Sequence, residues 1–121
     1  MKFLVEDIII ELEDEVATHF RIVDDDIMND DEPFPLVRID KNTMEHIVNF
    51  GRMFVENPFE IEDGPRENLC EFSEEYLEFA NNLSNEDLRL LTLGSDYIMF
   101  DMLFEFSCIV SAIRIHVKHC S

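Results

Sequence analysis

Two apolar blocks decide the fold of this chain, LRLLTLGSDY at residues 88–97 and FDMLFEFSCIVSAIRIHVK at residues 100–118. The first block follows Ser84-Asn-Glu-Asp87, a pattern typical of a capping box. In such a box the serine accepts a backbone N–H, and carboxylates lie at the positive end of the helix dipole. The sequence therefore predicts one helix that begins near Ser84 and a second that begins near Phe100, with a short joint at Ile98-Met99.

The second block is apolar on more than one helical face, which predicts burial on both sides rather than along a single stripe. Asp101, Glu105 and Arg114 interrupt it, so no charge-free span of about 20 residues remains for a transmembrane helix. Little of the chain follows Lys118 to cover the outer side of this helix. We expect a partner to supply the cover, with a purely internal core as the alternative.

Composition predicts a single domain, residues 1–121, with a modest core, since 46% of the residues are hydrophobic. The chain has 9 Lys and Arg against 28 Asp and Glu, a formal net charge of -19. Such a charge repels phosphate backbones and anionic membranes, so we expect neither as a partner. Nucleic-acid mimicry is a further class that the charge suggests, but ordinary solubility of an acidic protein is the preferred interpretation.

Cysteine usage indicates a reducing compartment. Cys70, Cys108 and Cys120 are odd in number and far apart, which argues against a disulfide framework. Glu6 and Asp7 interrupt the N-terminal region, where a secretory signal needs a continuous apolar run. We therefore expect free thiols and a cytoplasmic or nuclear location.

The first half of the chain predicts short strands and two helices joined by acidic loops at residues 24–32 and 56–71. The loop that begins at Asp24 is rich in potential calcium ligands, but Pro35 stands where an EF-hand needs its bidentate glutamate, and we interpret it as a solvated loop. The predicted elements are strands at Phe3–Val5 and Pro33–Ile39, a helix at Asp14–Val23, and a helix from Asp40 or Asn42 to about Val55 that Asn57-Pro58 ends.

Several stretches match one known family in the same order along the chain. Pro33-Phe-Pro-Leu-Val-Arg-Ile39 resembles Pro-Val-Pro-Leu-x-x-Val, Asp96-Tyr-Ile98 resembles Asn-Tyr-Leu, and Leu103–Cys108 resembles Leu-Leu-Asp-Val-Thr-Cys. These motifs are similar to those of the SKP-type ubiquitin-ligase adaptors of the BTB/POZ superfamily. The resemblance implies an α+β, BTB/POZ-like fold, in which a small β-sheet is packed with about five to six α-helices.

The resemblance also makes two claims about the N-terminal region. Phe3–Val5 would end the family's opening hairpin, and the first strand of that hairpin would have no counterpart here. Asp7–Glu11 would be a short helix, whereas the β-branched Ile8-Ile-Ile10 favours a strand, and both assignments stay open.

By the same resemblance, the chain is a non-enzymatic adaptor of a cullin-RING ubiquitin ligase that bridges a cullin to an F-box-type receptor. Asp96 and Tyr97 match the family's cullin-contacting pair, and Leu88, Ser111 and Ile115 stand at positions that line the receptor groove. Asp96 replaces an asparagine, Ser111 replaces a valine, and the family's later helices are missing. The alternative is therefore a BTB-fold interaction or decoy module, elongin C-like or self-associating, that binds one such partner; a homodimer is then possible.

The sequence contains no catalytic signature, because its three glycines are isolated and no nucleophile motif is present. We expect no enzyme activity, cofactor or metal. His116, His119 and Cys120 have the spacing of zinc ligands on a helix, but we interpret them as polar residues at a helix end. His19 and His46 are interpreted as structural or surface histidines.

Overall fold

The computed structural model describes residues 1–23, 32–59 and 72–120, the last five of them by backbone alone. In this part of the chain, a three-stranded sheet and five helices form an α+β fold, which confirms the predicted class. The elements in chain order are β1 (Lys2–Val5), β2 (Ile8–Glu11), α1 (Asp14–Ala17), β3 (Phe34–Pro35), α2 (Lys41–Glu56), α3 (Glu74–Asn81), α4 (Asn85–Ile98) and α5 (Asp101–Cys120).

The sheet has the order β2-β1-β3, with β2 antiparallel and β3 parallel to β1. Glu6 and Asp7 connect β1 to β2 in a two-residue turn and have positive φ angles of 50° and 70°. Both central residues of a type I′ turn need such angles. The helix implied for Asp7–Glu11 is therefore wrong, because the β-branched isoleucines extend and pair with β1. The opening hairpin is also complete, with β1 as its first strand rather than its last.

Helix α1 and strand β3 are shorter than the sequence predicts, and nearby backbone groups form hydrogen bonds outside the two elements. Helix α1 ends at Ala17, and the N–H groups of Arg21 and Ile22 donate to the carbonyls of Met99 and Ile98, respectively, at 3.3 and 3.1 Å. Strand β3 covers two residues, and Leu36 adds one further bond to the Leu4 carbonyl at 2.9 Å. Apolar side chains in both segments are nevertheless buried, and these are Val16, Phe20, Val23, Leu36 and Ile39, whereas Val37 is 83% exposed.

Helix α2 lies where the sequence predicts it. The Asp40 carboxylate accepts from the Thr43 N–H at 2.6 Å, which lowers the pKa of Asp40, and Asn57 ends the helix as expected. One face of the helix is buried, as helical spacing of its small and apolar residues predicts. The residues on this face are Met44, Ile47, Val48, Gly51 and Phe54.

Phe50 on α2 lies at the centre of an aromatic core. Its ring centroid is 5.2 Å from that of Phe106 on α5 and 5.7 Å from that of Tyr76 on α3, so three helices meet on one side chain. The Tyr76 hydroxyl donates to the Asn57 carbonyl at 2.6 Å and thereby ties α3 to the end of α2. Burial of this phenol raises its pKa to about 12.

Helices α4 and α5 form an antiparallel hairpin whose limits match the prediction. Ser84 accepts from the Asp87 N–H at 3.0 Å and caps α4. At the other end, Met99 is left-handed and Phe100 N–H donates to the Ser95 carbonyl at 3.0 Å, which is a Schellman-type stop. Burial on both sides of α5 is not observed over its whole length, because Ile115 is exposed. No helix in the described residues is long and apolar enough to cross a membrane.

Candidate functional site

A groove of about 390 Å³ lies between the N-terminal part of α4 and the C-terminal part of α5. We call it the α4–α5 groove. All three residues that the resemblance places at a receptor surface, Leu88, Ser111 and Ile115, line it. Sequence reasoning missed its other lining residues, which are Asn85, Arg89, Thr92, Leu93 and Arg114.

Helical periodicity explains how the groove arises. Residues three or four positions apart lie on one helix face, so Leu88 is joined by residue 92, and Ser111 by Ile115. Leu88 is buried and forms the floor, whereas Leu93 and Ile115 are 57% and 59% exposed at the rims. An apolar floor between apolar rims is the arrangement that accepts the side chains of a partner. Leu93 is five residues from Leu88, so this spacing does not identify it from the sequence.

Two hydroxyl groups in the groove are already satisfied within their own helices. The Ser111 hydroxyl donates to the Ser107 carbonyl, and the Thr92 hydroxyl donates to the Leu88 carbonyl, at 2.9 and 2.8 Å. Hydroxyls bonded in this way present mainly their carbon atoms to a neighbour. The groove therefore behaves as a more apolar surface than its residue types suggest.

The groove contains two arginines, of which Arg89 is paired with a carboxylate and Arg114 is held by neutral oxygens. Arg114 donates to the carbonyls of Ala80 and Leu83 at 2.8 and 2.7 Å, and to the Asn85 side chain at 3.0 Å. These oxygens are neutral, so they fix the guanidinium without cancelling its charge. Arg89 is exposed and pairs with Glu86 at 2.7 Å. Arg114 also fastens α5 to the junction of α3 and α4.

The cullin-matching residues, Asp96 and Tyr97, lie outside the groove on the last turn of α4. They are about 12 Å along the helix axis from Leu88, at a rise of about 1.5 Å per residue. Asp96 is exposed, and Tyr97 is half-buried and packs against the core. Tyr97 thus contributes to the core and also presents part of its ring to solvent. The predicted residues form two surfaces, one at each end of the α4–α5 hairpin.

The titratable groups near these surfaces do not form a reactive centre. Burial, and to a lesser extent the charges of Glu105 and Asp96, raise the pKa of the Cys108 thiol. A raised pKa keeps the thiol protonated and unreactive. Among the described residues, no group of three or more His, Cys, Asp or Glu side chains is placed to hold a metal ion. The side chains of His116, His119 and Cys120, and the acidic loop from residue 24 to 31, lie outside the described residues.

Comparison with models of protein families finds no match, and comparison with curated proteins finds none either. The two surfaces are therefore interpreted from their own geometry and from the resemblance in the motifs.

Proposed function

We propose that this chain is a non-enzymatic, SKP-like adaptor of a cullin-RING ubiquitin ligase. It holds an F-box-type receptor in the α4–α5 groove and a cullin at the Asp96–Tyr97 surface. Its mechanism is the rigid spacing of two docking surfaces, and no bond is made or broken on it.

The α4–α5 groove is the observation that carries this proposal. Leu88, Ser111 and Ile115 were assigned to one receptor surface from the motifs alone, yet they come from two helices separated by a reversal of the chain. That the three residues line one open groove supports the proposal. Exposed Leu93 and Ile115 are suitable anchors for the apolar face of a partner helix.

Three lysine substitutions with the same charge change test the two surfaces separately. Ile115→Lys removes an apolar rim from the groove, Tyr97→Lys alters the second surface, and Val37→Lys is the control at an exposed apolar position far from both in sequence. We expect Ile115→Lys to lose F-box proteins and keep the cullin, and Tyr97→Lys to do the opposite. Val37→Lys should retain both partners. The readout is co-purification with F-box proteins and with cullin N-terminal regions.

If the unaltered chain retains neither an F-box protein nor any cullin, the adaptor proposal is wrong. Folding of each variant is checked by circular dichroism, so that a loss of binding is not confused with a loss of structure.

A second candidate function is a BTB-fold interaction or decoy module that binds one of these partners. The exposed carboxylate of Asp96 favours it, because the family has an asparagine there that can also donate a hydrogen bond. Asp96→Asn distinguishes the two functions. A decoy that holds only the receptor should gain cullin binding on this substitution, whereas an adaptor binds the cullin without it. Sedimentation at high concentration tests the self-associating form.

A further inference from the structure

Strand β2 forms one edge of the sheet in the described residues. The first hydrogen-bonded pair of the hairpin shows which backbone groups of β2 face outward. Met1 and Leu12 exchange two backbone hydrogen bonds, from the Leu12 N–H to the Met1 carbonyl at 2.8 Å and from the Met1 amine to the Leu12 carbonyl at 3.0 Å. Antiparallel pairs alternate between bonded and non-bonded positions. In the observed register, Ile8 and Ile10 therefore face β1, and the N–H and C=O groups of Ile9 and Glu11 face away from it.

These four backbone groups have no hydrogen-bond partner among the residues that the structure describes. Edge strands are usually protected by proline, lysine, a bulge or a covering element. Strand β2 is short and has one charged side chain, Glu11 at its end, but it has no proline or lysine, and its other three residues are isoleucines. As far as the described ranges extend, the edge is thus available for pairing with another extended chain.

An apolar patch continues from this edge across the outer face of the sheet. Ile9 is 58% exposed and stands opposite the exposed Leu4 in the hairpin register. Leu4 in turn lines a shallow hollow with Pro35 and with Val37, which is 83% exposed. A strand added beside β2 would place every second side chain next to this patch.

The backbone groups and charges around β2 indicate which kind of partner could bind at this edge. The edge presents extended backbone groups, which a helix cannot satisfy because its own groups are bonded internally. A second copy is disfavoured, because each chain carries a formal charge of -19. The four residues of β2 and their apolar neighbours Leu4, Pro35 and Val37 also offer far less surface area than a standard interface, which buries roughly 800 Å² on each partner. The hairpin carries Glu6, Asp7 and Glu11 against one side-chain cation, Lys2.

We propose that β2 is a docking edge for an extended segment of another protein, in which an apolar residue and a basic residue stand two positions apart. The segment pairs with the Ile9 and Glu11 backbone groups. Its apolar side chain lies beside Leu4 and Ile9, and its basic side chain lies beside Glu11 on the same face of the sheet. This surface is separate from the α4–α5 groove, and the inference does not depend on the proposed function.

The probe is a fluorescein-labelled peptide of about eight residues, a length typical of strands, in which threonine stands at every second position and valine and lysine take turns at the positions between. Anisotropy measures its binding to the full chain. Ile9→Pro removes an outward N–H while leaving the bonds between β1 and β2, because proline is tolerated on an edge strand. We expect this variant to bind at least about tenfold more weakly, a change of about 1.4 kcal/mol. Ile9→Thr keeps the N–H and should bind within about threefold of the unaltered chain.

Amide hydrogen exchange gives a second measurement that does not depend on a variant folding. The amides of Ile9 and Glu11 should exchange rapidly in the free protein and slowly with the peptide, whereas those of Ile8 and Ile10 are slow in both. A peptide N-methylated at alternate positions should not bind. Equal binding of that peptide would overturn the proposal, because charge alone would then explain the affinity. Protection at Leu93 and Ile115 instead, or concentration-dependent protection of Ile9 without peptide, would also overturn it.

Discussion

Ser107 is a buried residue whose hydroxyl has no hydrogen-bond partner in the structure. A buried polar group without a partner is destabilising by roughly 1–3 kcal/mol. We expect Ser107→Ala to raise the free energy of unfolding by about 1 kcal/mol.

Ser95 is the matched control, since it is equally buried but donates to the Thr92 carbonyl at 2.9 Å. Ser95→Ala should lower stability by about 1 kcal/mol. Denaturant unfolding measures both, and a loss of stability in Ser107→Ala would contradict this reading.

His19 gives the protein a pH dependence with a defined sign. Its ring lies between those of Phe54 and Phe100, with centroids 5.1 and 5.5 Å away, and burial lowers its pKa from the ordinary value of 6.5. Below about pH 6.5 the unfolded state therefore binds a proton more readily than the folded state. This contribution to stability is present above that pH and is lost as the pH falls towards the lower folded pKa.

The variant His19→Phe tests this directly, because it keeps the aromatic contacts and removes the titrating group. We expect the stability of the unaltered chain to fall relative to that of His19→Phe between about pH 7 and pH 5.5. Urea unfolding at several pH values measures the difference. Parallel curves for the two proteins would show that this ring does not couple protonation to folding.

At the scale of secondary structure elements, the sequence predicted those that carry their own start and stop signals. The limits of α2 and α4 follow from the caps at Asp40 and Ser84, which act on neighbouring backbone groups. The early end of α1 could not be predicted, because it depends on bonds from Arg21 and Ile22 to the distant α4–α5 joint. Long-range partners of this kind leave no local pattern in the sequence.

The β1–β2 turn was missed for a related reason, and it provides an element-scale prediction. Neither Glu6 nor Asp7 is a residue that favours positive φ as strongly as glycine or asparagine, so the turn has no signal. We expect Glu6→Asn with Asp7→Gly to raise the unfolding free energy by about 1 kcal/mol, since both residues suit a type I′ turn. Thermal unfolding measures it. The reversed pair, Glu6→Gly with Asp7→Asn, controls for the lost charges, and an equal or smaller gain in the designed order would count against the turn assignment.

At the scale of the whole molecule, the two helices that form the candidate site were predictable from their own sequences, whereas the grouping of its residues came from the family resemblance. Leu88 and Ile115 could be assigned to one surface before the fold was known, but the role of Arg114 could not. Its position depends on carbonyl groups of Ala80 and Leu83, which become available only where α3 gives way to α4. This contact is thus a property of the assembled chain rather than of either helix.

Because of the net charge of -19, we expect the stability of the whole molecule to depend on the salt concentration. Exposed ion pairs such as Arg21–Asp101 stabilise little, whereas unmatched carboxylates repel one another in the compact state. Raising sodium chloride from about 0.01 to 0.15 M shortens the screening length from about 30 to 8 Å. We expect the Tm to rise by about 5 °C, because a gain of about 1 kcal/mol produces a shift of that size.

A matched titration at about pH 5 is the control, because partial protonation of the carboxylates reduces the repulsion and should reduce the rise in Tm. A fall in Tm with salt would mean that the surface ion pairs outweigh the repulsion. The same titration separates the two proposed docking modes. Binding in the apolar α4–α5 groove should change little between these salt concentrations, whereas binding of a basic segment at β2 should weaken, since only the second gains from the unscreened charge of the chain.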